Sequence, residues 1–185
     1  MIEVSHLVKK YGSHYAVNDL TFRVDRGQIY GFLGPNGAGK STTMNIITGY
    51  LAPTSGKVKI NGYDIQQEPE EAKRCIGYLP EMPPLYADMT VMEYLVFVSE
   101  LKRVARKQRK NNIQDVMERT GVTEMKDRLI RNLSKGYKQR VGLAQALLGD
   151  PEIIILDEPT VCLDPKQIIE MRDLIRGLRE KHTVI

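Results

Sequence analysis

Gly34-Pro35-Asn36-Gly37-Ala38-Gly39-Lys40-Ser41, with Thr42 following, is the stretch from which the rest of the chain is read. A glycine, four free positions and then Gly-Lys-Ser is the phosphate-loop pattern. A phosphate chain must come within hydrogen-bond reach of consecutive backbone N–H groups, and glycines let the backbone wrap that tightly at positive φ. A helix starting where the loop ends turns its free N–H groups and positive dipole end toward the anion. Lys40 would reach the β- and γ-phosphates of a nucleotide, and the Ser41 hydroxyl would coordinate Mg²⁺. Gly34, Asn36, Gly37, Ala38, Gly39 and Thr42 complete the expected cradle. The bland alternative is a glycine-rich turn before a helix.

The flanks supply the context the motif needs. Gln28–Leu33 is an apolar run with Ile, Tyr and Phe and reads as a buried strand leading into the loop. Ser41–Tyr50 reads as a helix, stopped by Pro53 and the Ser55-Gly56 turn. Upstream, residues 2–8 and 17–24 alternate apolar and polar side chains, as half-buried strands do. Lys57–Ile60 followed by Asn61-Gly62 looks like a hairpin strand and its turn. Ile76–Leu79 is a short apolar strand ending at Pro80.

Ile153-Ile154-Ile155-Leu156-Asp157-Glu158 puts two carboxylates at the C-terminal end of a strand buried on both faces. Ligands of open α/β sheets bind at that end. Asp157 would hold Mg²⁺ through its water shell, and Glu158 is the candidate general base for an attacking water. Acidic residues also simply end strands, so the pair gains its meaning from the phosphate loop.

Between these motifs, from Thr90 to about Glu124, strand signals give way to helical periodicity. Val91, Tyr94, Leu95 and Val98 share one face, and Val116 follows in a second helix. Gly136–Gly149 and the amphipathic Lys166–Lys181 read as further helices, and His182–Ile185 opens one more strand.

The bulk properties agree. The 185 residues suffice for one α/β domain, with 42% hydrophobic and 27% charged residues and no Trp. The net charge of +4 suits a phosphate ligand, an anionic membrane surface or nucleic acid alike. Cys75 and Cys162 have no paired or metal-ligand spacing and read as reduced thiols. The N-terminus lacks the basic start and apolar stretch of a signal peptide. No apolar run approaches the ~20 residues that span a bilayer, so any link to a membrane is expected to run through a partner chain.

Taken together, these residues resemble the ATP-binding subunit of ABC transporters over nearly the whole chain. The most specific segment is Leu133-Ser134-Lys135-Gly136-Tyr137-Lys138-Gln139-Arg140, which is similar to that family's signature motif and precedes the Asp157-Glu158 strand as it does there. The resemblance implies an α/β fold: a P-loop NTPase, RecA-like core with an N-terminal antiparallel β-subdomain and an α-helical insert. All of 1–185 would form one domain, with antiparallel strands at about 1–30 and 57–65 and the insert at about 84–132.

It implies that Ser134 and the Gly136 backbone cap the γ-phosphate bound by an opposite subunit, so that two ATP molecules are sandwiched in a head-to-tail dimer. Tyr11 resembles the aromatic residue that stacks on adenine. Leu163-Asp164 resembles the D-loop that crosses between subunits. Ile76-Gly77-Tyr78-Leu79-Pro80-Glu81 resembles the Q-loop, with Glu81 as a further Mg²⁺ ligand.

The implied reaction is ATP hydrolysis, with ATP and Mg²⁺ bound and Glu158, Lys40 and Ser134 catalytic. The implied partners are a second ATP-binding subunit, as a homodimer, and integral membrane permease subunits. The implied place is the cytoplasmic face of the cell membrane, as a peripheral subunit. No nucleic-acid partner is expected.

Several positions depart from the family pattern. Glu81 stands where Gln is usual; it offers an oxygen to a metal but cannot donate a hydrogen bond when ionised. Lys135 stands for Gly, Tyr137 for Gln, and Val161-Cys162 for two small residues. The family's switch histidine follows the strand that begins near Thr183. His182 precedes that strand, and His6 and His14 lie near the N-terminus, so none of the three is the switch. The resemblance therefore implies a chain lacking the C-terminal part of the domain, and weak turnover by this chain alone.

Lys102–Lys110 carries six positive charges. It reads as a solvated helix end or as a contact for anionic lipid; no aromatic residues interleave to make a nucleic-acid stacking platform. Met82-Pro83-Pro84-Leu85-Tyr86 to Thr90-Val91 is the segment expected to dock on a membrane subunit. A soluble ABC-family ATPase acting on nucleic acid or the ribosome is the alternative function. Chromosome-structuring relatives need a long coiled coil between Ser41 and Leu133, for which there is no room, and translation-factor relatives carry two cassettes. A generic P-loop kinase or GTPase lacks the signature segment. The overall look leans toward an exporter; the cargo is not legible.

Overall fold

The computed structural model describes residues 1–161 and 163–185. Cys162, and with it part of the expected D-loop, lies outside the described residues. Among the described residues, two sheets and six α-helices follow along the chain. Strands β1 (Ile2–Tyr11), β2 (His14–Val24), β3 (Ser55–Ile60) and β4 (Tyr63–Asp64) form an antiparallel sheet in the order β2-β1-β3-β4. Asn61 and Gly62, at φ 51° and 93°, make the tight β3–β4 turn that their sequence predicts. Strands β5 (Ile76–Leu79), β6 (Ile153–Leu156) and β7 (Thr183–Val184) form a parallel sheet with β6 in the centre.

Strand β6 sorts its side chains by the two-residue period of a strand. Ile153 and Ile155 join a core with the antiparallel sheet and helix α1 (Lys40–Ile47), whereas Ile154 and Leu156 join a second core with the later helices. Full burial of each such side chain is worth roughly 1.5–3 kcal/mol, so this short strand anchors both halves. Ile76, beside Ile153 on β5, joins the first core, and Leu79 the second.

The remaining helices are α2 (Pro69–Arg74), α3 (Val91–Leu101), α4 (Arg106–Thr120), α5 (Lys135–Leu147) and α6 (Pro165–Leu178). Helix α3 starts with a capping box: the Thr90 hydroxyl accepts from the Glu93 N–H, and the Glu93 carboxylate accepts from the Thr90 N–H. It buries Val91, Tyr94, Leu95 and Val98, the face its spacing predicts. Helix α1 stops at Ile47, earlier than Tyr50, because Gly49 takes the left-handed conformation at φ 70° and its N–H closes on the Ile46 carbonyl.

Two expectations need correction. Gln28–Leu33 is not a buried strand. Among the described residues only Ile29 of this segment bridges, to Val184, through Tyr30 N–H to Val184 O at 2.8 Å and Val184 N–H to Gln28 O at 2.9 Å. The backbone beyond Tyr30 has no sheet partner among the described residues, and Leu33 is 94% exposed.

Nor is the basic run uniformly solvated. Lys102 is half-buried, and its ammonium donates to the Gln145, Ala146 and Leu148 carbonyls at 2.8, 3.0 and 3.0 Å. A cation is thus set at the negative end of α5. Burial lowers the Lys102 ammonium to about 8. Arg109 pairs with Glu100 at 2.5 Å.

His182 is also structural. It is buried, with Nδ1 2.7 Å from the Pro151 carbonyl and Nε2 2.9 Å from Arg119 Nη2 on α4. Since a carbonyl only accepts, Nδ1 carries the proton and Nε2 accepts from the guanidinium.

Candidate nucleotide site

Three parts of the chain meet at one open cavity of about 740 Å³. They are the phosphate loop with the start of α1, the hairpin end of β1 and β2, and the loops leaving β5 and β6. Register explains the last pair. Leu79 lies beside Leu156, and the Asp157 N–H bonds the Leu79 carbonyl at 2.9 Å, so Glu81 and Glu158 leave the same carboxyl edge of the sheet.

Loop residues 34–39 turn on Gly37 and Gly39, at φ 82° and 83°. Gly39 is required twice over: a Cβ there would lie 2.2 Å from the Ala16 carbonyl oxygen of β2. The loop is thereby pressed against the antiparallel sheet. Gly39 caps α1 with no side-chain hydrogen bond, and no acidic residue occupies the first turn, so the positive helix end faces the cavity.

Asn36, Gly37, Gly39, Lys40, Ser41 and Thr42 line the cavity. Gly34 and Ala38 serve the loop instead: a Cβ on Gly34 would meet Ala38 Cβ at 3.3 Å, and Ala38 N–H bonds the Pro35 carbonyl at 3.2 Å. Lys40 Nζ donates to the Gly34 and Pro35 carbonyls at 2.7 and 3.0 Å, which holds the ammonium within the loop.

Ser41 Oγ and Asp157 Oδ1 lie 3.5 Å apart although 116 positions separate them. Asp157 is buried, and burial pushes its carboxyl above the usual carboxylate range. The Ser41 hydroxyl opposes this, Glu81 and Glu158 add to it, and Lys40 acts against it. A carboxylate raised in this way gains from a cation. Among the described residues no group of three or more His, Cys, Asp or Glu could hold a metal. The Ser41 and Asp157 oxygens are hard donors of the kind that would suit a cation such as Mg²⁺.

Glu158 is exposed at the cavity and has φ 50°, although Pro159 follows it. A non-glycine residue in that region costs about 1–3 kcal/mol, and such strain gathers at functional positions. Glu81 is exposed at the same cavity. Its backbone carbonyl accepts from Gln139 Nε2 at 2.9 Å, which ties α5 to this loop. Gln139 is buried, and although it lies in the Leu133–Arg140 segment, nothing in the sequence pointed to this contact.

Tyr11 and His14 are partners at the hairpin end, and both line the cavity. Tyr11 is 52% exposed, and Lys9 Nζ lies 5.2 Å from its ring centroid while donating to the Ala52 carbonyl at 2.8 Å. The ring is thus a platform with a cation on one face. His14 is a cavity residue that motif reasoning passed over.

Ser134 and Gly136 are not among the residues lining this cavity. Ser134 is the N-cap of α5 and accepts from the Tyr137 N–H at 3.3 Å. Gly136 is buried, and a Cβ there would lie 2.7 Å from the Gln167 side chain of α6. Asp164 caps α6 by accepting from the Gln167 N–H at 2.9 Å. The signature segment thus forms a second, separate helix start.

The chain matches the ABC transporter family over residues 17–161. It is 40% identical over 185 residues to the uncharacterized ABC transporter ATP-binding protein YxlF of Bacillus subtilis, covering all of this chain and 61% of that protein. It is 41% identical over 184 residues to the bacitracin transport ATP-binding protein BcrA of Bacillus licheniformis, covering all of this chain and 59% of that one. The chain thus spans about three fifths of the length of these curated relatives. A dimeric, post-hydrolysis structure of the ATP-binding cassette MJ0796 with ADP and Pi superposes with a TM-score of 0.87 at 27% identity, over 100% of this chain and 86% of that one. The chain belongs to the ABC transporter family and has the fold of its ATP-binding cassettes. Among the described residues no helix is long and apolar enough to cross a membrane.

Proposed function

We propose that this chain binds ATP with Mg²⁺ and hydrolyses the ATP to power an ABC transporter. The observation that carries the reading is the convergence of the Gly34–Ser41 loop, the Ser41–Asp157 pair and Glu158 on one cavity. The names of the relatives, which couple ATP binding to transport, support it.

In this reading Lys40 and the loop N–H groups neutralise and orient the β- and γ-phosphates. Ser41 and Asp157 would hold Mg²⁺, with Glu81 as a further oxygen ligand, and the ion would supply positive charge to offset that of the phosphates. Glu158, freed from the sheet by its strained backbone, takes a proton from the attacking water. Tyr11 stacks on adenine with its open face.

A second ATP-binding subunit, in a homodimer, presents Ser134 and the Gly136 N–H end of its α5 to the γ-phosphate. The dimeric state of the MJ0796 cassette supports this arrangement. Permease subunits dock at residues 84–132 and the Met82–Tyr86 segment, at the cytoplasmic face of the membrane. The support is an apolar-lined groove in which Tyr50 and Met82 are 84% and 80% exposed.

Glu158→Gln tests the chemistry. In the full-length protein it should retain ATP affinity, lower phosphate release by about 10²- to 10⁴-fold and accumulate an ATP-bound dimer in size-exclusion chromatography. Turnover equal to the wild type would remove Glu158 from this role.

A further inference from the structure

We infer that His14 is a nucleotide ligand that donates a ring N–H to the link between ribose and α-phosphate. The inference rests on the nucleotide site proposed above and assigns it one more residue. Its basis is placement. His14 is the first residue of β2 and the register partner of Tyr11 across the hairpin end. On a strand, positions 14 and 16 share a face. Ala16 is where β2 meets the phosphate loop, since its carbonyl stands 2.2 Å from where a Gly39 Cβ would be. His14 and Ala16 both line the cavity. The hairpin therefore sets out a short series: the Tyr11 ring, then His14, then the loop that grips the terminal phosphates.

A nucleotide stretched from Tyr11 to Lys40 must pass its sugar and first phosphate beside position 14. The chemistry at that point suits an imidazole. Lys40 is held inside the loop by the Gly34 and Pro35 carbonyls, so its charge serves the far end of the phosphate chain. The other charged side chains of the cavity wall are Glu81 and Glu158, which repel phosphate. Lys10 lies over Tyr15, at 4.4 Å, and Lys9 over Tyr11, where it bonds the Ala52 carbonyl. Asn36 and His14 are the N–H-donating side chains that remain on the cavity wall, and His14 is the one on the hairpin, between Tyr11 and the loop. It is exposed, free of the ion pair that engages His6 with Asp19, and its ring needs only to turn toward the ligand.

The test measures Kd for ADP–Mg²⁺, ATP–Mg²⁺ and GTP–Mg²⁺ by calorimetry on the wild type, His14→Ala, His14→Arg and Lys40→Ala. One such hydrogen bond is worth about a fivefold to tenfold change in Kd. His14→Ala should weaken ADP and ATP by the same factor, because both carry the α-phosphate, and should leave the ATP/GTP ratio unchanged. His14→Arg should restore the affinity, since a guanidinium also donates to phosphate. Circular dichroism establishes that each variant folds.

A loss confined to ATP would place His14 at the γ-phosphate and overturn the inference. So would a changed ATP/GTP ratio, which would mean that it acts through Tyr11, or unchanged affinities in His14→Ala. A wild type that binds no nucleotide, or a Lys40→Ala that binds as well as the wild type, would instead fail the underlying site.

Discussion

Two apolar segments run into the cavity from the same side, and they are held in opposite ways. Strand β6 lies between β5 and β7, and all four of its side chains are buried. The segment from Ile29 to Leu33 touches the sheet through one bridge and leaves Leu33 almost wholly exposed. Yet both segments end in groups that must be placed to within hydrogen-bond distance: Asp157 and Glu158 in one, the phosphate loop in the other. The sheet itself positions the carboxylates. The loop is positioned by contacts made after it, through Gly39 against Ala16 and through α1 in the core beneath. Hydrophobic composition thus fixes a segment only as far as its neighbours can pair with it.

The difference is open to measurement, and the largest effect should come from the buried strand. Ile155→Ala removes a fully buried side chain and should cost about 2–5 kcal/mol in urea unfolding. Leu33→Ala should change stability by less than about 0.5 kcal/mol. Equal losses would mean that the two segments are equally anchored.

Gly39→Ala probes the contact that holds the loop. The left-handed backbone and the close Ala16 carbonyl should together lower stability by about 1–3 kcal/mol and weaken nucleotide binding sharply. Full affinity in that variant would show that the sheet contact is dispensable.

Asp157→Asn should act in the other direction. Burial raises the Asp157 carboxyl, so between its unfolded and its folded value the native chain binds more protons than the unfolded one. Stability therefore falls as pH rises through that window, and at neutral pH the ionised group is a burden. Without Mg²⁺ the Asn variant should gain a few degrees at most in Tm, about 1 kcal/mol or less, at pH 7. The gain should vanish at a pH low enough to protonate Asp157. A variant less stable than the wild type at pH 7 would contradict the sign.

The residues proposed to carry chemistry stand out most in the sequence, because the need to bind phosphate restricts residue type at fixed spacing. The loop, the Asp157-Glu158 pair and the faces of α3 and β6 could be read that way. Pairing could not. Nothing local says that Ile29 finds only Val184 while Ile154 finds neighbours on both sides. Lys102 looked like one charge in a basic run, but the carbonyls it caps belong to a helix end more than 40 residues away. The Gln139 contact and the place of His14 were hidden for the same reason, since each depends on a partner that only the fold brings near.

The most direct test of the phosphate-loop site is thermal unfolding of the chain with and without ATP–Mg²⁺, beside Lys40→Ala. At a ligand concentration about a hundred times Kd, binding to the native state alone adds about 2.7 kcal/mol, or roughly 5–10 °C for a chain of this size. The wild type should show that rise and Lys40→Ala should lose most of it. No rise in the wild type, or an equal rise in the variant, would contradict the assignment of residues 34–41 as the phosphate-binding site.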